Sequence, residues 1–164
     1  MILAGYEGMI LVVMGVSGCG KSTVGKLLAE RLGYRFLDAD EFHPPANVAK
    51  MAAGMPLTDA DRLPWLESLN GKLLENRNTV LACSALKESY RKILAQGVDD
   101  CRLVHLRGSI ELIRSRLTER RHRFMPASLL ESQFAALEAP HGAIEIDIAQ
   151  PPERCVDTIL AALG

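Results

Sequence analysis

The segment Gly15-Val16-Ser17-Gly18-Cys19-Gly20-Lys21-Ser22 matches the phosphate-loop pattern G-x-x-x-x-G-K-[S/T] at every fixed position. No other stretch constrains the fold as tightly, because such a loop works only between a strand and a helix. Its glycines let the backbone curl until successive N–H groups point at phosphate oxygens. The flanks suit it. Ile10–Met14 is a continuous apolar run, as in a strand buried on both faces. Lys21–Leu32 carries Val24, Leu27, Leu28 and Leu32 at helical spacing and stops at Gly33. A helix starting there adds the positive end of its dipole, Lys21 brings a point charge to the β- and γ-phosphates, and the Ser22 hydroxyl stands where it ligates Mg²⁺. A chance match in a chain this long has odds on the order of one in a hundred. The plain alternative, a glycine-rich turn that binds nothing, has the strand and helix on either side against it.

The remaining pattern alternates short apolar runs with longer amphipathic ones. Strands are expected at Tyr34–Leu37, Thr79–Cys83, Arg102–Leu106 and Ala143–Ile148. Helices are expected at Pro44–Ala53, Asp59–Glu75, Lys87–Gln96, Ser109–Arg120, Ala127–Leu137 and Glu153–Leu163. This order predicts a three-layer α/β/α fold of the P-loop NTPase type, with a mostly parallel five-stranded sheet and ligands at the carboxyl ends of the strands. At 164 residues, with no repeat or linker, residues 1–164 read as a single kinase domain with a mobile lid near 114–137. The opening MILAGYEG reads as a short leader rather than a signal peptide, and Met9 is a possible true start.

Composition limits the partners. Hydrophobic residues at 48% and charged residues at 24% are ordinary for a soluble globular protein. A net charge of -1 creates no global field for nucleic acid or an anionic membrane, so neither is an expected partner. No apolar run approaches the ~20 residues that span a bilayer. Cys19, Cys83, Cys101 and Cys155 are widely spaced, without a C-x-x-C pair, which points to reduced thiols in a cytoplasmic protein.

Leu37-Asp38-Ala39-Asp40-Glu41-Phe42-His43 follows the second strand, which is expected beside the first. A kinase acting on an alcohol needs one carboxylate near Mg²⁺ and another to receive the hydroxyl proton. On an extended chain alternate residues face opposite sides, so Asp38 is assigned to the metal, through water, and Asp40 to the substrate hydroxyl. Helix capping by both is the competing use. His43, held extended before Pro44-Pro45, is either a substrate ligand or a surface residue. Arg62 is suited to clamping an anionic group, with Trp65 as a packing anchor. Lys87 and Arg91, four apart, place two cations on one helix face and favour an acidic acceptor; a solvated basic face is the plain alternative. From Arg114 to Arg123 the chain has arginines at 114, 116, 120, 121 and 123 before Phe124-Met125-Pro126. Such a cluster suits a closing lid that stabilises the transferring phosphoryl group; an RNA-binding patch would need interleaved aromatics.

Taken together, GVSGCGKST, FLDADEFHPPANVAKMAAGMPLTDADRLPWL, CSALKESYR, SQFAALEAP and the final IDIAQP resemble the gluconokinases of the small P-loop kinase type, over nearly everything from Met9 onward. The resemblance implies a nucleoside- and shikimate-kinase-like fold, ATP:D-gluconate 6-phosphotransferase activity with ATP and Mg²⁺, and a homodimer. It assigns Gly15 through Thr23 to the nucleotide, with Lys21 also catalytic. Asp40 approaches the 6-hydroxyl, while His43, Arg62, Lys87 and Arg91 line the gluconate side. Arg120 belongs to the lid as a catalytic group, and Gln150 and Pro151 lie near adenine, where Arg116 stacks. The family lid usually reads G-H-F where this chain has His122-Arg123-Phe124.

Two other functions compete. Shikimate kinases share the phosphate loop and the D-x-D, but usually carry a glycine triplet where this chain has Cys83-Ser84-Ala85. A non-catalytic ATP-binding module would lack a metabolite substrate, and a GTP-type switch would need an N-K-x-D-like loop that this sequence does not contain.

Overall fold

Strand β1 (Ile10–Met14) is the axis of the molecule, with all five residues buried. Its side chains alternate between two cores. Leu11 and Val13 join one core, while Ile10, Val12 and Met14 join the other. A strand apolar on both faces must be covered on both faces, and this gives the three layers. The computed structural model describes Gly5 and residues 7–119 and 127–164.

The elements follow in order: α1 (Lys21–Leu32), β2 (Arg35–Asp38), a 3₁₀ turn (Ala39–Phe42), α2 (Pro45–Ala52), α3 (Asp59–Glu75), β3 (Thr79–Ala82), α4 (Glu88–Ala95), β4 (Cys101–Arg107), α5 (Ile110–Glu119), α6 (Ala127–Ala136), β5 (Ile144–Asp147) and α7 (Pro152–Leu163). The expected elements are all present, with ends shifted by at most one residue. The five strands are parallel and ordered β2-β3-β1-β4-β5. One core holds α1 and α7 with Val24, Leu28, Leu32, Val156 and Ile159, and the other holds α3 and α4 with Leu66, Leu69, Leu73 and Leu94.

The strand order corrects one expectation. β2 does not pair with β1, because β3 lies between them. The reason is composition: Thr79-Val80-Leu81-Ala82 is buried throughout and suits an interior place, whereas Arg35-Phe36-Leu37-Asp38 is half-buried throughout and takes the edge. The loops after β1 and β3 therefore diverge at a switch point, where α/β sheets open a crevice for ligands. Gly15 N–H donates to Ser84 O across that point at 3.3 Å.

Candidate active site

Two glycines hold the loop after β1 in shape. Gly15 has φ +149, and a Cβ there would lie 2.7 Å from Cys19 Sγ and 2.8 Å from Leu106 O. Gly18 has φ +85, and its Cβ would meet Leu117 of α5 at 2.8 Å. Gly20 precedes α1 in a left-handed conformation, and no side chain caps the helix. The first N–H groups of α1 are thus left without an intrahelical partner, which is the anion site that the sequence called for. Lys21 Nζ lies over the loop and donates to Gly15 O and Val16 O, each at 3.1 Å.

Beside it, Ser22 Oγ donates to Asp38 Oδ2 at 3.0 Å. Phosphate loop and acidic turn therefore meet even though β3 separates their strands. Among the described residues no cluster of three or more His, Cys, Asp or Glu side chains forms a metal cage. A hydroxyl with one carboxylate behind it is instead the donor set that suits Mg²⁺, which keeps its waters and takes its remaining ligands from phosphate.

The segment after Asp38 is not extended, contrary to expectation. Asp38 Oδ1 accepts from Asp40 N–H at 3.1 Å and starts the 3₁₀ turn, so Asp38 both caps and reaches Ser22. Asp40 is 85% exposed, with Oδ1 3.9 Å from His43 Nε2. His43 is no surface residue. Its side chain is 5% exposed, and its ring stacks on Trp65 with centroids 4.1 Å apart and planes 15° from parallel. Trp65 Nε1–H donates to the buried Ala39 O at 2.8 Å, which ties α3 to the turn. Burial lowers the His43 pKa and Arg62 adds to that, against the opposing pull of Asp40.

Arg62, Lys87, Tyr90 and Asp59 form a second cluster. Arg62 donates to Leu57 O at 2.9 Å and to Tyr90 Oη at 3.2 Å. Tyr90 Oη–H and Lys87 Nζ both donate to Asp59 Oδ1. The Tyr90 hydrogen bond, followed by that of Lys87, lowers the Asp59 pKa, and the Asp59 contact raises that of Lys87. Lys87 thus bonds Asp59 directly, and Arg62 reaches it through the Tyr90 hydroxyl.

Arg91 departs from expectation. Lys87 precedes α4 as its cap, so the two cations do not share a helix face. The Arg91 side chain is 4% exposed and donates to Ala85 O at 3.1 Å, Glu138 O at 2.9 Å and Glu88 Oε2 at 3.3 Å. It lies beneath the loop after β3, where Ala85 has φ +44. The physical reason is the demand of that loop: its inward carbonyls need donors, and a five-donor guanidinium supplies them.

On the other flank, a cavity of about 220 Å³ is lined by Cys19, Gly20, Thr23, Arg116, Gln150 and Cys155, among others. Arg116 and Gln150 thus meet the phosphate loop where the adenine side was expected; Pro152 rather than Pro151 lines the wall. Arg116 donates to Ile148 O. Arg120 and the arginines at 121 and 123 lie outside the described residues. Sequence reasoning missed Gln133 of α6, whose Oε1 accepts from Ser17 N–H at 2.7 Å while Nε2 donates to Ser17 Oγ at 3.0 Å. It also missed Asn47, a buried amide in α2, and Tyr90. A polar residue at an inward helical position was the available signal for both Asn47 and Gln133.

Comparison with known proteins agrees with this geometry. The family model described as shikimate kinase matches residues 17–138. A probable gluconokinase of Rattus norvegicus is 46% identical, over 94% of this chain and 97% of its own. A gluconokinase of Gluconobacter oxydans is 48% identical, over 97% and 91%. The crystal structure of a gluconokinase from Sinorhizobium meliloti superposes with a TM-score of 0.89 at 44% identity, over 95% of this chain and 91% of that one. A shikimate kinase from Acinetobacter baumannii, at 19% identity and a TM-score of 0.63 over 94% and 92% of the two chains, shares the fold.

Proposed function

This chain belongs to the gluconokinase family of P-loop kinases, and on that premise we propose that it phosphorylates D-gluconate on its 6-hydroxyl with ATP. The observation that carries the proposal is the meeting of Ser22 and Asp38 at 3.0 Å beneath the uncapped start of α1, with Asp40 and His43 directly beyond. In this reading phosphate donors, a metal-side carboxylate and an exposed carboxylate for the alcohol stand side by side.

In this proposal the N–H groups of Gly15 through Thr23 and Lys21 hold the triphosphate, with Arg116, Gln150 and Pro151 on the adenine side. Ser22 would hold Mg²⁺, with Asp38 behind it through water, and the ion would supply positive charge to the triphosphate. Asp40 receives the hydroxyl proton, and Lys21 stabilises charge on the phosphoryl group as it moves. Arg62 and Lys87 face the acid end of gluconate, where a substrate carboxylate competes with Asp59 for Lys87 and with the Tyr90 hydroxyl for Arg62. Arg91 serves the gluconate side by holding the loop after β3. Arg120 keeps the lid role that the family resemblance assigns to it, within a lid spanning about 114–137.

A homodimer in the cytoplasm completes the proposal, supported by the family and by free thiols at all four cysteines. No helix among the described residues is long and apolar enough to cross a membrane. The test is ADP release with Mg-ATP against gluconate, shikimate, glycerate and a nucleoside monophosphate panel. Turnover with gluconate alone is expected. Turnover with shikimate instead would overturn the acceptor, and ATP binding without turnover on any acceptor would overturn the kinase.

A further inference from the structure

Asn47 of α2 is 3% exposed and has no part in the proposed chemistry, yet both N–H groups of its amide are committed. Nδ2 lies 3.3 Å from His43 Nδ1 and donates to Asp61 O at 3.0 Å. A carbonyl oxygen only accepts, so the NH₂ end must face Asp61; the opposite amide orientation would set oxygen against oxygen. The second N–H of the same NH₂ group then points at His43 Nδ1. Nδ1 must accept, and the ring proton resides on Nε2.

The rest of the ring is equally constrained. One face is stacked on Trp65 and the Nδ1 edge is taken by Asn47, so the edge toward Asp40 is the one left. Nε2–H and Asp40 Oδ1 stand 3.9 Å apart, too far for a direct hydrogen bond. An oxygen about 2.8 Å from each would bridge them. A hydroxyl suits that place: its O–H donates to the carboxylate and one lone pair accepts from Nε2–H. The other lone pair is left free with a fixed direction. In a loose phosphoryl-transfer transition state, aim matters more than nucleophilicity, so tying up one lone pair costs little.

We propose that Asn47 is a positioning residue for phosphoryl transfer, fixing His43 as the Nε2–H tautomer so that His43 and Asp40 clasp a single substrate hydroxyl as donor and acceptor. The proposal rests on the placement of Asp40 and His43 at the acceptor hydroxyl. The charged groups facing His43 are Asp40 from its own turn and Arg62 from α3. The Asp61 carboxylate of α3 is engaged by Lys50 of α2 at 2.7 Å and by Thr58 N–H at 2.9 Å.

The experiment joins ring spectroscopy to kinetics. Side-chain ¹⁵N shifts identify the tautomer of each of the four histidines, with His43→Gln assigning the His43 signals. Trp65, the only tryptophan, reports His43 protonation through the quenching of its emission by a stacked imidazolium. Wild-type protein should show the Nε2–H form, with little quenching from about pH 8 to pH 6. Asn47→Asp puts an acceptor opposite Nδ1, favours the imidazolium and should raise the quenching midpoint by about one pH unit or more. Its kcat/KM for gluconate should fall roughly tenfold as pH rises past that midpoint, because the neutral ring then keeps its proton on Nδ1, facing the introduced carboxylate, and Nε2 has no hydrogen left to donate. Asn47→Ala should lower kcat about tenfold with the KM for ATP unchanged, and His43→Gln, which keeps a donor near Nε2, should retain more kcat than His43→Leu.

An Nδ1–H tautomer in the wild type would overturn the proposal. So would an Asn47→Asp midpoint equal to wild type, or loss of stability in the Asn47 variants with kcat and pH profile unchanged. Failure of the broader function is distinguishable: the tautomer and the midpoint shift would appear as expected while no sugar acid turned over.

Discussion

Replacement of Arg91 by Met separates two roles that the residue type alone leaves open. The guanidinium makes two bonds to main-chain carbonyls, at Ala85 O and Glu138 O, and the side chain is 4% exposed. A hydrogen bond from a charged donor contributes about 1.5–3 kcal/mol, and an acceptor left buried without a partner costs about 1–3 kcal/mol. Relief of the desolvated cation offsets part of this, since an apolar side chain of similar length needs no solvation. The net loss should be about 3 kcal/mol. At roughly 2–4 °C per kcal/mol for a chain of this size, the melting temperature should fall by roughly 6–12 °C. Arg91→Lys, whose Nζ can reach one of the two carbonyls, should lose about half as much. Thermal and urea unfolding measure the effect, with the KM for gluconate taken well below the transition. A variant melting within about 2 °C of wild type but with a tenfold higher gluconate KM would refute the reasoning and return Arg91 to the substrate.

Other perturbations test other parts of the site. Gly18→Ala forces a side chain into φ +85 and against Leu117, at a cost of about 2–3 kcal/mol, so stability and ATP affinity should fall together in calorimetry and nucleotide titration. Asp61 is held at a pKa of about 2, first by Lys50 and then by the Thr58 N–H, against an ordinary 3.8. A lowered folded pKa means a stabilising contribution that is complete above 3.8 and lost as pH falls toward 2. Wild-type stability should therefore drop more steeply than that of Asp61→Asn across that window, as read by urea midpoints at each pH. Asp40→Asn should lower kcat by roughly 10²-fold while nucleotide affinity stays near wild type, and unchanged kcat would remove Asp40 from the proton's path.

The phosphate loop, the alternation of strands and helices and both cores were legible in the residues themselves. Each rests on short-range rules: a fixed glycine spacing, continuous apolar runs for strands, helical apolar spacing for helices and a stop at Gly33. Asp59–Glu75 was bounded to the residue, and the structure closes its start with a capping box between Thr58 and Asp61. Strand order was not legible. It depends on which of two short strands is apolar enough to be covered on every side, a competition between distant segments that placed β3, not β2, beside β1.

The chemistry divides along the same line. Lys21, Ser22, Asp38 and Asp40 were proposed from spacing, and the structure brings Ser22 and Asp38 together at 3.0 Å. The burial of Arg91, the stacking of His43 on Trp65 and the hold of Gln133 on Ser17 join residues 22 to 116 positions apart. Only packing brings such partners together, and packing decides which donor is spent on the fold and which remains for a substrate. The sequence by itself determined that a P-loop kinase fold would form around a glycine-rich loop between a strand and a helix. The tertiary structure decided what holds the polar groups of the site, because a buried polar atom must find its partner wherever the fold places one.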